Sequence, residues 1–334
     1  MPAGDPPGSF LTTLPFTGRR KWEAACKTID PRGDSRAALI RHLWRESSRH
    51  RGLIVDGSGG PGDLYAELLG AISVRRRPGG GGTPIVLAEC QWKLGSRWSD
   101  RVAKRLGVRA LDGPAVAYCV LTEWERDRFA HTWGVDTARV FVTPYCHTLS
   151  DAELEAPVSR DGGVFAGGNS LRDYDPLVAA AGEVGERTFL ATKLVEGPAP
   201  ANVTAEPVPE GRYFELLRNA RVVVVPLADR DDRTAGQQTY LNAMALRKPT
   251  VVTDSPGVRE YVEDGRTGIV VPPGDSKALA SALRWALDPA NAEAVEKMAA
   301  AAEETARERF SPQRYAQSIL DVAERLARGL GQHR

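Results

Sequence analysis

The sequence is poor in the residues on which disulfide-rich, metal-binding and membrane-spanning proteins depend. It has four cysteines in 334 residues, and they are Cys26, Cys90, Cys119 and Cys146. Their wide spacing excludes the paired patterns of zinc sites and predicts reduced thiols. No apolar run approaches the ~20 residues of a membrane span, and residues 1–5 lack the features of a signal peptide. We therefore expect a cytoplasmic protein with no integral membrane segment.

An excess of charge of either sign is also missing. The 44 Lys and Arg residues nearly balance 43 Asp and Glu residues, which leaves a net charge of +1. This balance argues against nucleic acid as a partner, because nothing steers the whole protein toward a polyanion. A length of 334 residues suits two domains of ordinary size.

Glycine-rich turns occur, but none has the spacing of a common nucleotide fingerprint. Residues 53–56 predict a buried strand that runs into a turn at 57–63, where glycines are frequent. That turn lacks the lysine of a P-loop, and neither it nor the turn at 162–168 has the Gly-x-Gly-x-x-Gly pattern. An NAD-dependent oxidoreductase is therefore the least favoured of the functions considered below.

The stretch from Arg221 to Asp275 alternates apolar runs with polar loops. Unbroken runs of β-branched residues predict parallel strands covered on both faces, and they lie at 222–225, 250–253 and 269–271. An apolar stripe that includes Leu241 and Met244 predicts a helix between the first two strands. Gly236 stands where loop becomes helix, and it lets a ligand approach the backbone N–H groups at the positive end of the helix dipole. The sequence therefore predicts a phosphate site there.

This order of elements resembles the C-terminal half of family 4-type glycosyltransferases. The resemblance is carried by a helix ending Ala243-Met244-Ala245, by Lys248-Pro249-Thr250-Val251-Val252-Thr253, and by the Gly265–Asp275 stretch. The matching motifs follow one another closely from about residue 164 to residue 287 and are fewer outside that range. The resemblance implies an α/β protein of GT-B architecture, in which two Rossmann-like domains face each other across a cleft.

The resemblance also implies a domain organisation. Residues 1–150 would form an N-terminal acceptor-binding domain, and residues 151–310 a C-terminal domain that holds the nucleotide-sugar. Residues 311–334 would form a helix that packs back on the N-terminal domain.

Several donor-binding residues follow from matching motifs. Gly167 and Gly168 fall in the phosphate-side loop, and Arg172 takes the position of a family cation, where a guanidinium can bind two diphosphate oxygens. The alternative for Arg172 is an ion pair with a neighbouring aspartate. Lys193 could supply a further positive charge or be a solvated lysine. Pro209 lies in the segment whose backbone usually contacts the base.

The central stretch departs from the family at two glutamate positions, which are occupied by Thr234 and Asn242. Asn242 has one acceptor and one donor group, and it suits a single ribose hydroxyl better than a vicinal pair. One hypothesis is therefore a deoxyribose donor such as a dTDP-sugar, and the other is a weakened donor site. The family's loop at the helix start is replaced by residues expected to hold the distal phosphate and the donor sugar, namely Gly236, Gln237, Gln238 and Thr239.

The acceptor side offers two carboxylates. Glu89 stands where family members often carry a histidine, and it is a candidate general base or a carboxylate satisfied by local arginines. Asp56, at the end of a predicted strand, is the second candidate. If the reaction retains configuration, the leaving phosphate itself can take the acceptor proton.

The function implied is transfer of a sugar from a nucleoside-diphosphate donor, such as a dTDP-sugar or a UDP-sugar, to a hydroxyl or amine of a small-molecule acceptor. Neither a metal nor a separate cofactor is required, because cations and a helix N-terminus stabilise the leaving diphosphate. Asp229, Asp231 and Asp232 are accordingly interpreted as a solvated loop. The excess of Arg over Lys and the frequent Ala, Gly and Pro indicate GC-rich coding and suggest an actinobacterial source. Together with a deoxyribose-type donor, that source favours an antibiotic pathway. The alternative is a non-catalytic GT-B partner protein.

Overall fold

The computed structural model describes residues 8–16, 18–30, 35–59, 65–230 and 233–331. Within them the chain forms two compact units. The first unit runs to Pro144 and resumes at Pro312, and the second unit spans Tyr145–Ser311. Each unit is built around its own parallel sheet.

The sheet of the first unit has six parallel strands in the order β2-β1-β3-β4-β5-β6. The strands are β1 (Phe10–Thr12), β2 (Cys26–Thr28), β3 (Leu53–Asp56), β4 (Ile85–Ala88), β5 (Val116–Val120) and β6 (Val140–Val142). The helices between them are α1 (Arg20–Ala25), α2 (Arg36–Glu46), α3 (Ala66–Arg76), α4 (Trp98–Leu111) and α5 (Glu123–Trp133). Strands β3, β4 and β5 are almost wholly buried, as expected for central strands covered by helices on both faces.

The sequence placed one boundary in this unit wrongly. The stretch from Ser73 to Thr83 is rich in arginine and then glycine, a composition that predicts a mobile surface loop, but α3 continues to Arg76. The arginines that suggested a loop are used by the fold, because the Arg76 guanidinium donates to the carbonyls of Ala110 and Arg109 at 2.8 and 3.2 Å. Part of the glycine-rich turn predicted at 57–63 lies outside the described residues.

The second unit repeats the design with strand order β12-β11-β10-β7-β8-β9. Its strands are β7 (Val164–Gly167), β8 (Thr188–Ala191), β9 (Val203–Glu206), β10 (Val222–Val225), β11 (Thr250–Thr253) and β12 (Ile269–Val271). Its helices are α6 (Asp151–Glu155), α7 (Asp175–Val184), α8 (Glu210–Asn219), α9 (Gln237–Ala245), α10 (Ser276–Leu287) and α11 (Ala292–Arg309). The three strands predicted from β-branched runs are confirmed as β10, β11 and β12, and all four valines of β10 are fully buried.

Each sheet changes direction once. In the first unit β2 lies on one side of β1 and β3 on the other, and in the second unit β8 and β10 flank β7 in the same way. The loops that leave two such neighbouring strands diverge to opposite faces, which opens a crevice at the carboxyl ends of the strands. The fold therefore offers one crevice between β1 and β3 and another between β7 and β10.

The last helix, α12 (Pro312–Gly331), belongs to the first unit and packs against α1, β4 and β5. Its buried residues include Tyr315, Ile319 and Ala323. In the part of the chain that the structure describes, no helix combines the length and the apolar character needed to cross a bilayer.

Candidate functional site

The loop after β7 is held against the segment after β10. Gly168 has a φ of +108°, a backbone conformation that would be strained in a residue with a side chain. Arg172 forms an isolated antiparallel bridge with Leu227. The Asp173 N–H donates to the Pro226 carbonyl at 3.0 Å, and the Ala228 N–H donates to the Leu171 carbonyl at 3.1 Å. These bonds close the loop over the crevice between β7 and β10.

Arg172 is half-buried in this loop with its guanidinium held on three sides. Its Nε donates to the Gly167 carbonyl at 3.3 Å, one terminal nitrogen to the Ser170 carbonyl at 2.8 Å, and the other to Thr239 Oγ1 at 3.2 Å. Burial lowers the pKa of the guanidinium, but arginine remains charged in proteins. Because all three partners are uncharged, they orient the cation without neutralising it.

Helix α9 begins at the other wall of the same crevice. Gly236 caps it with a φ of +87°, and a Cβ there would lie 3.1 Å from both Val225 and Leu227. The Gln237 amide is buried and donates to Thr234 Oγ1 at 2.5 Å. Thr239, in the first turn, accepts the bond from Arg172. The helix N-terminus and the guanidinium therefore converge, and this arrangement suits a phosphate.

Tyr213 links the end of β7 at Gly167 to the start of α9 at Thr239. Nothing in the sequence indicated that Tyr213 has its side chain at this site. It lies in α8, which is capped by Pro209, and its hydroxyl shares a hydrogen bond of 3.3 Å with Thr239 Oγ1. Its ring covers Gly167 so closely that a Cβ on that glycine would lie 2.4 Å from the ring. A glycine at 167 is thus required by packing.

Asn242 and Gln238 are brought together by Thr148, which the sequence analysis missed. Asn242 is 1% exposed; its Oδ1 accepts from the Thr148 N–H at 2.8 Å and its amide donates to Thr148 Oγ1 at 3.0 Å. The Gln238 amide donates to the same Oγ1 at 3.2 Å. The Asn242 side chain therefore fixes the segment that enters the second unit, and a ribose contact would require this arrangement to open.

Lys193 is exposed just beyond β8. Its backbone N–H donates to Asn169 Oδ1 at 3.1 Å, and Asn169 also accepts from Thr192 Oγ1 at 2.8 Å. The backbone of Lys193 is thus attached to the loop that carries Gly168 and Arg172. The role of its ammonium stays a prediction.

The carboxylates expected on the acceptor side lie at the carboxyl ends of two adjacent strands. Asp56 ends β3; its Oδ1 accepts from the Ser58 N–H at 2.8 Å, and its Oδ2 accepts from the Tyr65 hydroxyl at 3.0 Å. The Asp56 N–H donates to Thr13 Oγ1 at 3.2 Å across the switch point between β1 and β3. Asp56 is thus fixed at the crevice of the first unit.

Glu89 directly follows β4 and has a φ of +58°, a backbone conformation uncommon outside glycine. Its Oε1 accepts a hydrogen bond of 2.8 Å from the Tyr315 hydroxyl on α12. Burial, with a contribution from the negative charge of Asp56, raises the pKa of Glu89 to about 7, while the Tyr315 bond opposes the rise. A carboxylate with this pKa can accept and release a proton near neutrality.

The described residues contain no cluster of three His, Cys, Asp or Glu side chains placed to hold a metal ion. Two of the aspartates interpreted from sequence as a solvated loop, Asp231 and Asp232, lie outside the described residues.

Comparison with known proteins finds a family match within the second unit. Residues 181–289, which include β10 and α9, match the family described as "Glycosyl transferases group 1". This segment is therefore similar to a group 1 glycosyltransferase domain. The segment lies in the second unit, beside the loop of Arg172.

A curated protein to which this chain is similar is alpha-D-kanosaminyltransferase of Streptomyces kanamyceticus. The identity is 39% over 225 residues, which cover 58% of this chain and 54% of the relative. The chain thus matches about half the length of this relative.

Solved structures extend the likeness over both units. A glycosyltransferase from Rickettsia africae has a TM-score of 0.61 at 10% identity and covers 96% of this chain and 90% of its own. Anabaena HepE in complex with UDP-glucose has a TM-score of 0.59 at 14% identity, over 94% of this chain and 87% of that chain. The expected α/β fold of GT-B type with two domains is confirmed.

Proposed function

We propose that the protein transfers a sugar from a nucleoside-diphosphate donor to a hydroxyl or amine of a small-molecule acceptor. The observation that carries the proposal is the convergence of the Arg172 guanidinium and the N-terminus of α9 on the crevice between β7 and β10. In open parallel sheets ligands bind at such switch points. Helix α9 lies in the segment that matches a glycosyltransferase family, and this agrees with a nucleotide-sugar as the ligand.

Charge stabilisation is the contribution that the second unit would make to the reaction. Glycosyl transfer leaves negative charge on the departing diphosphate, and Arg172 with the α9 backbone N–H groups would stabilise it without a metal ion. The hydrogen bonds from Arg172 to Gly167, Ser170 and Thr239 hold the guanidinium in place before the donor binds. A cation that is already held in position stabilises the developing charge without having to be reoriented during the reaction, and this is its contribution to catalysis.

On the acceptor side, Glu89 is the better candidate for a general base. Its pKa of about 7 lets the carboxylate take a proton from an acceptor hydroxyl near neutral pH. Asp56, bonded to Ser58 and Tyr65, would orient the acceptor or Glu89 through its charge. In this proposal the first unit binds the acceptor.

Donor and pathway are inferred from the relatives and from Asn242. The Streptomyces relative is named for transfer of an alpha-D-kanosaminyl group, which supports a hexose-type donor and an antibiotic pathway. HepE was solved with UDP-glucose, and Asn242 in place of the family glutamate supports dTDP as the alternative nucleotide. Four free cysteines support the reducing environment of the cytoplasm.

Turnover of a donor panel tests this function. UDP-, dTDP-, GDP- and ADP-hexoses would be incubated with small-molecule acceptors that carry hydroxyl or amino groups, and nucleoside diphosphate and glycosylated product would be quantified together. Equal amounts of both products with one donor, and their loss in Arg172→Ala, are expected. The thermal midpoint would be measured with the same donors and with NAD. A midpoint raised by a donor without product formation would support the non-catalytic partner, and a midpoint raised by NAD alone would favour an oxidoreductase.

A further inference from the structure

The most exposed large apolar side chain in the described residues belongs to a helix that contributes no residue to the candidate site. It is Trp98, the first residue of α4, which is 79% exposed, and Leu106 in the same helix is 61% exposed. Of the 14 residues of α4, Val108 and Leu111 are the buried ones. Large apolar side chains gathered on a surface indicate a binding surface, so α4 is a candidate.

The solvent-facing side of α4 carries two adjacent stripes at helical spacing. The apolar stripe consists of Trp98, Val102 and Leu106. The cationic stripe consists of Arg101, Arg105 and Arg109. Residues four apart lie above one another on a helix, and residues three apart are neighbours, so the stripes run side by side. These six residues are called the α4 face.

Positive charge dominates this part of the chain. Between Lys93 and Arg109 there are six Lys and Arg residues and a single carboxylate, Asp100. The loop before α4 is held to the helix, because Arg101 Nε donates to the Gly95 carbonyl at 2.9 Å and Lys104 Nζ donates to the Lys93 carbonyl at 3.1 Å. Since these partners are uncharged carbonyls, both side chains keep their charge for an anionic partner.

We propose that the α4 face binds the surface of an anionic lipid bilayer. Helix α4 would lie in the plane of the membrane, with Trp98 and Leu106 in the headgroup and acyl-chain boundary and the arginines on lipid phosphates. Basic amphipathic helices with Trp and Leu on the other stripe bind membranes in this way. Tryptophan favours this boundary because its ring is apolar and its indole N–H is polar.

The width of the apolar stripe argues for a membrane over a protein. A stable protein interface buries about 800 Å² on each partner around an apolar core, and three side chains in one row are too few to form such a core. Membrane attachment instead sums a small apolar area with attraction between each cation and the lipid phosphates. The proposal needs α4 alone and does not depend on glycosyl transfer.

Flotation of the full-length protein with lipid vesicles tests the proposal. The protein is expected to float with vesicles of phosphatidylcholine and phosphatidylglycerol, to remain behind with phosphatidylcholine alone, and to be released by salt. Arg105→Gln should lower the partition coefficient roughly fivefold, since each cation near a membrane contributes about that factor. Trp98→Ser should lower it by at least as much.

Controls separate loss of binding from loss of folding. Trp285→Ser, on α10 of the second unit, removes a tryptophan that is 37% exposed and should leave flotation unchanged. The thermal midpoints of Trp98→Ser and Arg105→Gln should equal that of the wild type, because both replaced side chains are exposed. Absence of flotation with anionic vesicles, or flotation that neither Trp98→Ser nor Arg105→Gln reduces, overturns the proposal. Retention on immobilised polyglutamate without vesicle binding would assign the face to an acidic protein and likewise overturn it.

Discussion

The Tyr315 hydroxyl donates a hydrogen bond of 2.8 Å to Glu89 Oε1, and so joins the last helix to the end of β4 across 226 positions of sequence. The bond favours the ionised carboxylate, whereas burial and the charge of Asp56 favour the protonated form. The balance places the pKa of Glu89 at about 7. Tyr315 is thus a positioning residue that also sets the proton affinity of the candidate base.

Replacement of Tyr315 by phenylalanine should move the pH dependence of the reaction. Loss of a hydrogen bond to a charged group raises the pKa of Glu89 further, by about one unit. A general base must be deprotonated, so activity falls as pH drops through its pKa, and the acidic limb of kcat/KM should shift upward in Tyr315→Phe. Tyr65→Phe is the matched control, because its hydroxyl is bonded to Asp56. An acidic limb that moves only in Tyr65→Phe would assign the base to Asp56.

A methyl group at Gly167 should damage the donor site through Tyr213. The new Cβ would lie 2.4 Å from the Tyr213 ring, so the ring must move away from Thr239. Such overpacking costs about 1–3 kcal/mol of unfolding free energy, and nucleoside diphosphate affinity should fall with it. Gly211→Ala in α8, the helix that carries Tyr213, is the control, since a Cβ at Gly211 would meet no atom within 4 Å. Urea unfolding and calorimetry would compare the two, and equal stabilities and affinities would contradict this account.

Removal of the Thr148 hydroxyl should destabilise the second unit. The buried Asn242 amide donates to Thr148 Oγ1, and in Thr148→Ala it would lose that acceptor at a cost of about 1–3 kcal/mol. Thr148→Ser keeps the hydroxyl and should unfold at nearly the wild-type denaturant concentration. A Thr148→Ala protein as stable as Thr148→Ser would show that the bond contributes nothing.

The sequence predicted those parts of the fold that depend on neighbouring residues. Runs of β-branched residues located β10, β11 and β12, and Gly236 located the start of α9, because local pattern and backbone freedom determine these features. Thr122 followed three residues later by Glu125 is the sequence pattern of a helix N-cap, and Thr122 Oγ1 accepts from the Glu125 N–H at 3.1 Å at the start of α5. The end of α3 was missed because its arginines bond to a distant helix.

The contacts that complete the candidate site could not be predicted in this way. Tyr315 and Glu89 are 226 residues apart, and Thr148 and Asn242 are 94 apart. No periodicity or spacing relates residues so distant, because only the folded topology brings them together. Arg172 was chosen from its position in a motif; the structure adds that Gly167, Ser170 and Thr239 orient it.

The affinity of a nucleoside diphosphate for wild type and Arg172→Ala, measured by calorimetry, tests the central claim most directly. Loss of a charge-assisted hydrogen bond should weaken binding roughly 10- to 100-fold. Arg187→Ala removes an exposed arginine just before β8, where the strand begins and away from the carboxyl ends that form the crevice, and should leave the affinity unchanged. Equal affinity in wild type and Arg172→Ala, or an equal loss in Arg187→Ala, would contradict a phosphate site at Arg172 and the start of α9.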